Sequence, residues 1–170
     1  MKKFASATIA LVLLLTVAPG ANAADFTNPY GTSTVDPAGP NEVIFTVSKG
    51  GKQVTYTTRK LAKLKSTSIS IYEPFLKKRQ TFTVIAMKDF FSKVGIAGND
   101  KVSTYALNDY VYTNSAAQFV AAGGYIAVKR NGSDIPYDQG GPLRIVFDDK
   151  SKWAKNLDAW NWSLASITVK

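Results

Sequence analysis

Apolar and polar residues alternate along much of this chain, and that repeat of two predicts strands rather than long helices. Residues 42–47 are rich in β-branched and aromatic side chains, and the turn residues at 48–52 lead into a return strand, which predicts an opening β-hairpin. The predicted strands span residues 42–47, 53–57, 66–72, 80–86, 101–107, 125–129, 143–147 and 166–169.

Helical spacing replaces this alternation in three short stretches, which are residues 58–64, 87–94 and 115–122. The second stretch places four apolar side chains on one face and is followed by Gly95, a typical C-terminal cap. That stripe predicts a core-facing helix. The third stretch has Asn114 or Ser115 as its N-terminal cap. The predicted fold class is therefore α+β and predominantly β.

The first residues have the layout of a secretory signal peptide, which predicts export to the periplasm or the medium. Lys2 and Lys3 precede an apolar run at 7–18, and the small-residue sequence at 21–23 follows. The run is shorter than the ~20 residues that a membrane-spanning helix needs. Cleavage after residue 23 would leave 147 residues without a transmembrane segment.

The remaining chain is predicted to form one domain. Residues 24–41 contain three prolines and two glycines without sustained periodicity, which indicates a flexible lead-in. Residues 42–170 carry the strand and helix patterns and are long enough for one hydrophobic core.

The charge of the predicted mature chain is basic, because 19 of the 21 Lys and Arg residues remain against 12 Asp and Glu, a formal +7. The basic residues are scattered, so they predict no specific nucleic-acid site. Cysteine and histidine are absent from the sequence. That absence excludes disulfides, the usual zinc, copper and haem ligands, and nucleophiles that depend on Cys or His.

Polar residues gather at strand ends between residues 104 and 147, which makes this stretch the first place to look for a site. Arg130 and Arg144 each lie near a glycine-containing turn and could grip a phosphate. Alternatively, Arg144 pairs with Asp109 or Asp138 to satisfy a buried charge.

Two further groups are candidates for ligand binding. The sequence Asn108-Asp109-Tyr110 follows a strand and predicts a turn in which the aspartate side chain caps backbone N–H groups. Trp153 lies among lysines and is predicted to be the most exposed of the three tryptophans, where it could bind sugars or anionic polymers. Packing on the core is the other interpretation of these tryptophans.

Four segments together resemble the sulfite oxidase-type oxidoreductase molybdopterin-binding domain. They read Leu-Asn-Asp-Tyr at 107–110, Lys-Arg-Asn-Gly at 129–132, Gly-Gly-Pro-Leu-Arg-Ile-Val-Phe at 140–147 and Trp-Asn-Trp-Ser-Leu-Ala-Ser-Ile-Thr-Val at 160–169. The resemblance covers residues 42–170 and implies that family's fold, with molybdopterin as the possible cofactor.

The chain departs from that family where the metal would be held. The resemblance implies a cysteine thiolate on molybdenum, with a histidine and arginines on the pterin phosphate, yet this sequence has neither Cys nor His. We therefore expect an exported binding or accessory module rather than an enzyme, with a small anionic ligand or a protein as partner. The alternatives are a periplasmic pterin-dependent oxidoreductase and a binder of anionic polymers.

Overall fold

The computed structural model describes residues 38–170. The predicted signal peptide at 1–23 and most of the predicted lead-in at 24–41 lie outside the described residues. Nine strands are present in the described part, in chain order β1 (Val43–Lys49), β2 (Lys52–Thr57), β3 (Thr67–Glu73), β4 (Lys78–Ala86), β5 (Lys101–Ala106), β6 (Val111–Ser115), β7 (Gly124–Arg130), β8 (Arg144–Phe147) and β9 (Leu164–Val169). The α+β, predominantly β fold class is confirmed.

The strands form two sheets. The first has the order β2-β1-β9-β5-β6, in which β1 and β9 run parallel and the other neighbours antiparallel. The second has the order β3-β4-β7-β8 and is antiparallel throughout. The predicted opening hairpin corresponds to β1 and β2. The Asn131-Gly132 turn follows β7, with both residues at positive φ, as a tight turn of this kind requires.

The helices are α1 (Thr58–Leu61), α2 (Met87–Val94) and α3 (Ala116–Ala121), and two single 3₁₀ turns cover Tyr137–Gln139 and Leu157–Ala159. Thr57 caps α1 and Ser115 caps α3, each accepting a backbone N–H three residues ahead. Gly95 ends α2 in the left-handed conformation, as predicted. Three residues of the apolar stripe are buried, and the fourth, Val94, packs against the core partly buried. No helix in residues 38–170 is long and apolar enough to cross a membrane.

One hydrophobic core serves both sheets. Its largest fully buried apolar side chains include five phenylalanines, which are Phe45, Phe82, Phe90, Phe119 and Phe147. They come from β1, β4, α2, α3 and β8, so both sheets and two helices contribute to the same core.

Strand β8 joins the two sheets, although it lies at the edge of the second one. Its four residues are all buried, because the segment that leads into β9 covers its open edge. The Ile145 N–H donates to Asn161 O at 2.8 Å, and the Leu164 N–H donates to Leu143 O at 2.8 Å. This junction positions the candidate site described below.

Candidate ligand-binding cleft

Three loops at the junction of the sheets border an open cleft of about 350 Å³. They are the turn after β3, the turn after β5 and the segment before β9. We call this feature the aromatic cleft, and it is lined by Phe75, Asn108, Tyr110, Leu157, Asp158, Trp160 and Trp162. Phe75, Tyr110 and Leu157 are exposed, and large exposed apolar side chains grouped on one surface are typical of a binding site.

The segment at 160–163 is fastened to its surroundings by hydrogen bonds. The buried Asn161 side chain donates through Nδ2 to Thr104 O at 3.1 Å and to Thr104 Oγ1 at 3.2 Å. Ser163 N donates to Gly140 O at 2.8 Å, and Leu107 N donates to Ser163 O at 2.9 Å. These bonds fix the backbone on both sides of Trp162, so its ring is attached to a well-anchored segment.

The Trp162 ring is wedged between three neighbours. The Arg144 guanidinium carbon lies 3.7 Å from its centroid, within the range of a cation–π contact. The Phe75 ring is 4.8 Å away at an interplanar angle of 63°. Gly140 approaches so closely that a methyl group there would lie 2.7 Å from Trp162 Cε3. The ring that lines the cleft is thus preorganised by the buried structure behind it.

A buried ion pair lies behind this ring. Arg144 and Glu73 are both 0% exposed, and Arg144 Nη2 donates to Glu73 Oε1 at 3.2 Å. The same carboxylate accepts the backbone N–H groups of Phe75 at 3.4 Å and Leu76 at 2.7 Å, so it also shapes the turn that presents Phe75. Ion pairing of Arg144 is confirmed, but the predicted partners Asp109 and Asp138 are wrong.

The protonation of Arg144 reflects this environment. Burial lowers the pKa of Arg144 to about 10, with the Glu73 carboxylate acting in the opposite direction and the Arg130 charge adding to the lowering. The guanidinium therefore stays charged at neutral pH. Within residues 38–170, Arg144 Nε and Nη1 and Trp162 Nε1 have no hydrogen-bond partner, so stacking rather than hydrogen bonding holds most of this guanidinium.

The turn after β5 supplies the opposite wall of the cleft. Tyr110 Oη donates to Asp158 O at 2.8 Å, which ties the two loops together. Burial raises the pKa of the Tyr110 hydroxyl, and the nearby Asp158 charge adds to that effect. The predicted turn is present, with Asp109 at φ 65°, but the capping side chain is Asn108, whose Oδ1 accepts the Tyr110 N–H at 3.3 Å.

The other sequence candidates lie outside the lining of the cleft. Arg130 donates to the Gln139 side chain, and Asp138 is exposed in the 3₁₀ turn beside it. Trp153 is only 9% exposed and packs edge-to-face on Phe147 at 5.6 Å, so the prediction that it is the most exposed tryptophan is wrong. Of the seven candidates, Asn108 and Tyr110 line the cleft and Arg144 supports it from behind.

Sequence reasoning missed Glu73, Phe75, Asp158 and Trp162. A signal for Glu73 was present, because Ile71 and Glu73 share one face of β3 and both are buried. A carboxylate on an inward-facing position requires a partner, and the strand pattern had already placed Arg144 in a buried strand. Pairing the two needs knowledge of which strands meet, which the sequence alone does not provide.

The residues present do not fit a cysteine-ligated molybdenum centre. The sequence contains no Cys and no His, and the part of the chain that the structure describes has no group of three or more Asp or Glu residues that could hold a metal ion. Arg144, the buried arginine of the region that carries the family resemblance, is committed to Glu73.

A second cavity, of about 190 Å³, lies on another face of the domain, where Ile44, Leu61 and Pro142 contribute to an apolar lining. Its charged lining residues, Lys129 and Asp134, face each other at 3.7 Å and so partly neutralise each other. The aromatic cleft differs in combining aromatic rings with an amide and the exposed Asp158 carboxylate, which has no ion-pair partner within residues 38–170. We therefore regard it as the better candidate for specific recognition.

Comparison with known proteins supports the fold. No family model and no curated protein matches the chain. The crystal structure of the sulfane dehydrogenase SoxCD from Paracoccus pantotrophus matches with a TM-score of 0.55 and 9% sequence identity. The match covers 74% of this chain and 37% of that one. At this identity the likeness shows the fold alone, and it supports the molybdopterin-related fold that the sequence motifs imply.

Proposed function

We propose that this protein is an exported binding or accessory module with a molybdopterin-enzyme type of fold, in which the aromatic cleft takes the place of a metal centre as the functional site. The observation that carries the proposal is the support behind Trp162. A buried ion pair, a close glycine and an edge-on phenylalanine hold one ring at the wall of an open cleft. Rigid support of an exposed recognition surface is typical of binding sites.

The donor set supports a binding function over the family's redox chemistry. A thiolate is the soft protein ligand that the family resemblance implies, and this chain has none. An arginine that grips a phosphate must present its planar fork to the ligand, whereas Arg144 is fully buried and paired. Asn108 and Asp158 are the exposed residues of the lining that carry an amide or a carboxylate.

The proposal is tested with mature protein purified from its native host. We expect molybdenum far below one atom per chain, and a small molecule that is released when the protein is denatured. Tyr110→Ala should reduce the amount of this molecule by removing one wall of the cleft. Tyr72→Ala, which removes a similarly exposed ring outside the lining of the cleft, should leave it unchanged. Stoichiometric molybdenum, or equal loss in both variants, would contradict the proposal.

A further inference from the structure

The charge of the aromatic cleft is opposite to that of the protein. The whole chain has a formal charge of +9, yet Asp158 is the charged residue among those lining the cleft. Asp109 lies between the lining residues Asn108 and Tyr110, and both aspartates are exposed. The electrostatic influence of Asp158 reaches the cleft wall, because it contributes to raising the pKa of Tyr110. An anion would meet repulsion here, and a cation would not.

The aromatic lining also favours a positively charged ligand. Phe75, Tyr110, Trp160 and Trp162 contribute four rings, and the electron-rich face of such a ring attracts a cation within about 6 Å. The Arg144 charge next to Trp162 would weaken that attraction if it stood alone. It is paired with Glu73 on the buried side of the ring, so the pair adds little net charge to the cleft.

The kind of cation follows from the shortage of acceptors. A primary ammonium or a small metal ion is strongly hydrated and needs several oxygen ligands to replace its water. The lining side chains offer one carboxylate, one amide and the Tyr110 hydroxyl, which donates its proton to Asp158 O. A quaternary ammonium has no N–H groups to satisfy and is recognised by rings and a nearby negative charge.

We propose that the aromatic cleft binds a quaternary ammonium group of the choline type, with Tyr110, Phe75 and Trp162 as its aromatic contacts and Asp158 as its counter-charge. The inference rests on the proposed function, because it names the ligand class of the same cleft. A free choline-like ion and a choline lipid headgroup carry the same chemistry, and the experiment separates these sources.

The first measurement compares choline with 3,3-dimethylbutan-1-ol, its uncharged isostere, by NMR titration of labelled protein. For a ligand this small we expect a Kd on the order of 1 mM for choline. The isostere should bind at least about five-fold more weakly, because it lacks the cation–π and ionic contributions. The amide shifts should concentrate at residues 108–110 and 157–162, which places binding in the cleft.

Matched variants then test the ionic and the cation–π contributions separately. Asp158→Asn should weaken choline about three-fold and leave the isostere unchanged, whereas Asp134→Asn, the same change beside the other cavity, should affect neither. Tyr110→Ala should weaken choline about five-fold, since it removes one ring.

The outcomes separate this inference from the proposed function. Cosedimentation with phosphatidylcholine vesicles but not phosphatidylglycerol vesicles assigns the headgroup as the source, and binding of free choline alone assigns a soluble ligand; each supports the inference. Two results would overturn the assignment of a quaternary ammonium ligand and leave the binding function intact. One is equal affinity for choline and its isostere. The other is the absence of choline binding together with a different ligand in protein from the native host. No choline binding and no native ligand overturn both.

Discussion

Glu73 and Arg144 illustrate how one charged pair can shape a surface without being part of it. Both side chains are removed from water, which is costly for each charge unless the partner and further hydrogen bonds compensate. The second carboxylate oxygen of Glu73 accepts the Leu76 N–H in the turn that carries Phe75. The guanidinium of Arg144 stacks on the Trp162 ring. The pair is therefore linked to two walls of the aromatic cleft at once.

Breaking the pair on one side should be strongly destabilising. Arg144→Met leaves the Glu73 carboxylate buried without a cation, and we expect the free energy of unfolding to fall by about 3–5 kcal/mol. The double variant Glu73→Gln/Arg144→Met removes both charges and keeps an acceptor for the Leu76 N–H, so it should recover at least about 1 kcal/mol. Urea denaturation measures both. A double variant no more stable than Arg144→Met would show that the charge pair is not the cause.

Gly140 offers a second test at the scale of one residue. Gly140 and Gly132 both have positive φ, at 81° and 83°, but a methyl group would meet the Trp162 ring at Gly140 and nothing within 4 Å at Gly132. Alanine at Gly132 should cost about 1 kcal/mol from the backbone alone. Alanine at Gly140 should cost about 1–3 kcal/mol more because of overpacking.

The readout for these glycine variants is thermal unfolding together with tryptophan fluorescence. The emission spectrum should change in Gly140→Ala, since Trp162 must shift, and stay as in the wild type for Gly132→Ala. Equal destabilisation of the two variants would mean that the contact with Trp162 carries no energy.

At the scale of elements, two aspartates fasten loops to strands. Asp100 accepts from the Lys49 side chain and from the Ala97 N–H, and Asp149 accepts from the Tyr72 N–H and from Arg79. These hydrogen bonds lower the pKa of both carboxyls below the ordinary value of 3.8. A lowered pKa in the folded state stabilises the protein above the ordinary pKa, and this contribution is lost as the pH falls through the folded value.

Stability should therefore decrease as the pH falls below 3.8, and these two side chains should account for part of the decrease. We expect the urea midpoint of Asp100→Asn/Asp149→Asn to fall less between about pH 5 and pH 3 than that of the wild type. Asp138→Asn, the same change at an exposed aspartate in the first 3₁₀ turn, should follow the wild-type curve. An unchanged pH dependence in the double variant would contradict the assignment.

Elements with strong hydrophobic periodicity were predicted correctly from the sequence. Elements that form only through contacts with distant segments were not predicted. Helix α2 and its Gly95 cap were predicted because four apolar positions repeat on one face. Strand β6 was missed, since its sequence Val-Tyr-Thr-Asn-Ser has no buried face of its own and is polar at its end. Pairing with β5 makes it a strand, including the Ser103–Thr113 hydroxyl contact at 2.8 Å.

In the candidate site, too, residues with a local sequence signal were predicted and residues brought together by distant contacts were not. Asn108 and Tyr110 were found because a turn at a strand end is visible in the sequence. Phe75 and Trp162 come together from segments far apart in the chain, and their meeting depends on the junction between β8 and the segment before β9. Residue order predicts neither that junction nor the cleft beside it.

At the scale of the whole molecule, that junction makes the two sheets dependent on each other. The backbone of Asn161 bonds to β8 in the second sheet, while its side chain bonds to Thr104 in the first. The core is one cluster with residues from both sheets. Neither sheet can lose its packing without exposing the other, which is the condition for cooperative unfolding.

We therefore expect residues 38–170 to unfold in one transition, with far-UV and near-UV circular dichroism giving the same urea midpoint. Asn161→Ala removes two buried hydrogen bonds that link the sheets and should lower the free energy of unfolding by about 2 kcal/mol. Both signals should shift together in this variant. If the near-UV signal, which reports the packed aromatic core, moved to a lower urea concentration than the far-UV signal, packing would be lost before the strands, and the expectation of a single transition would be wrong.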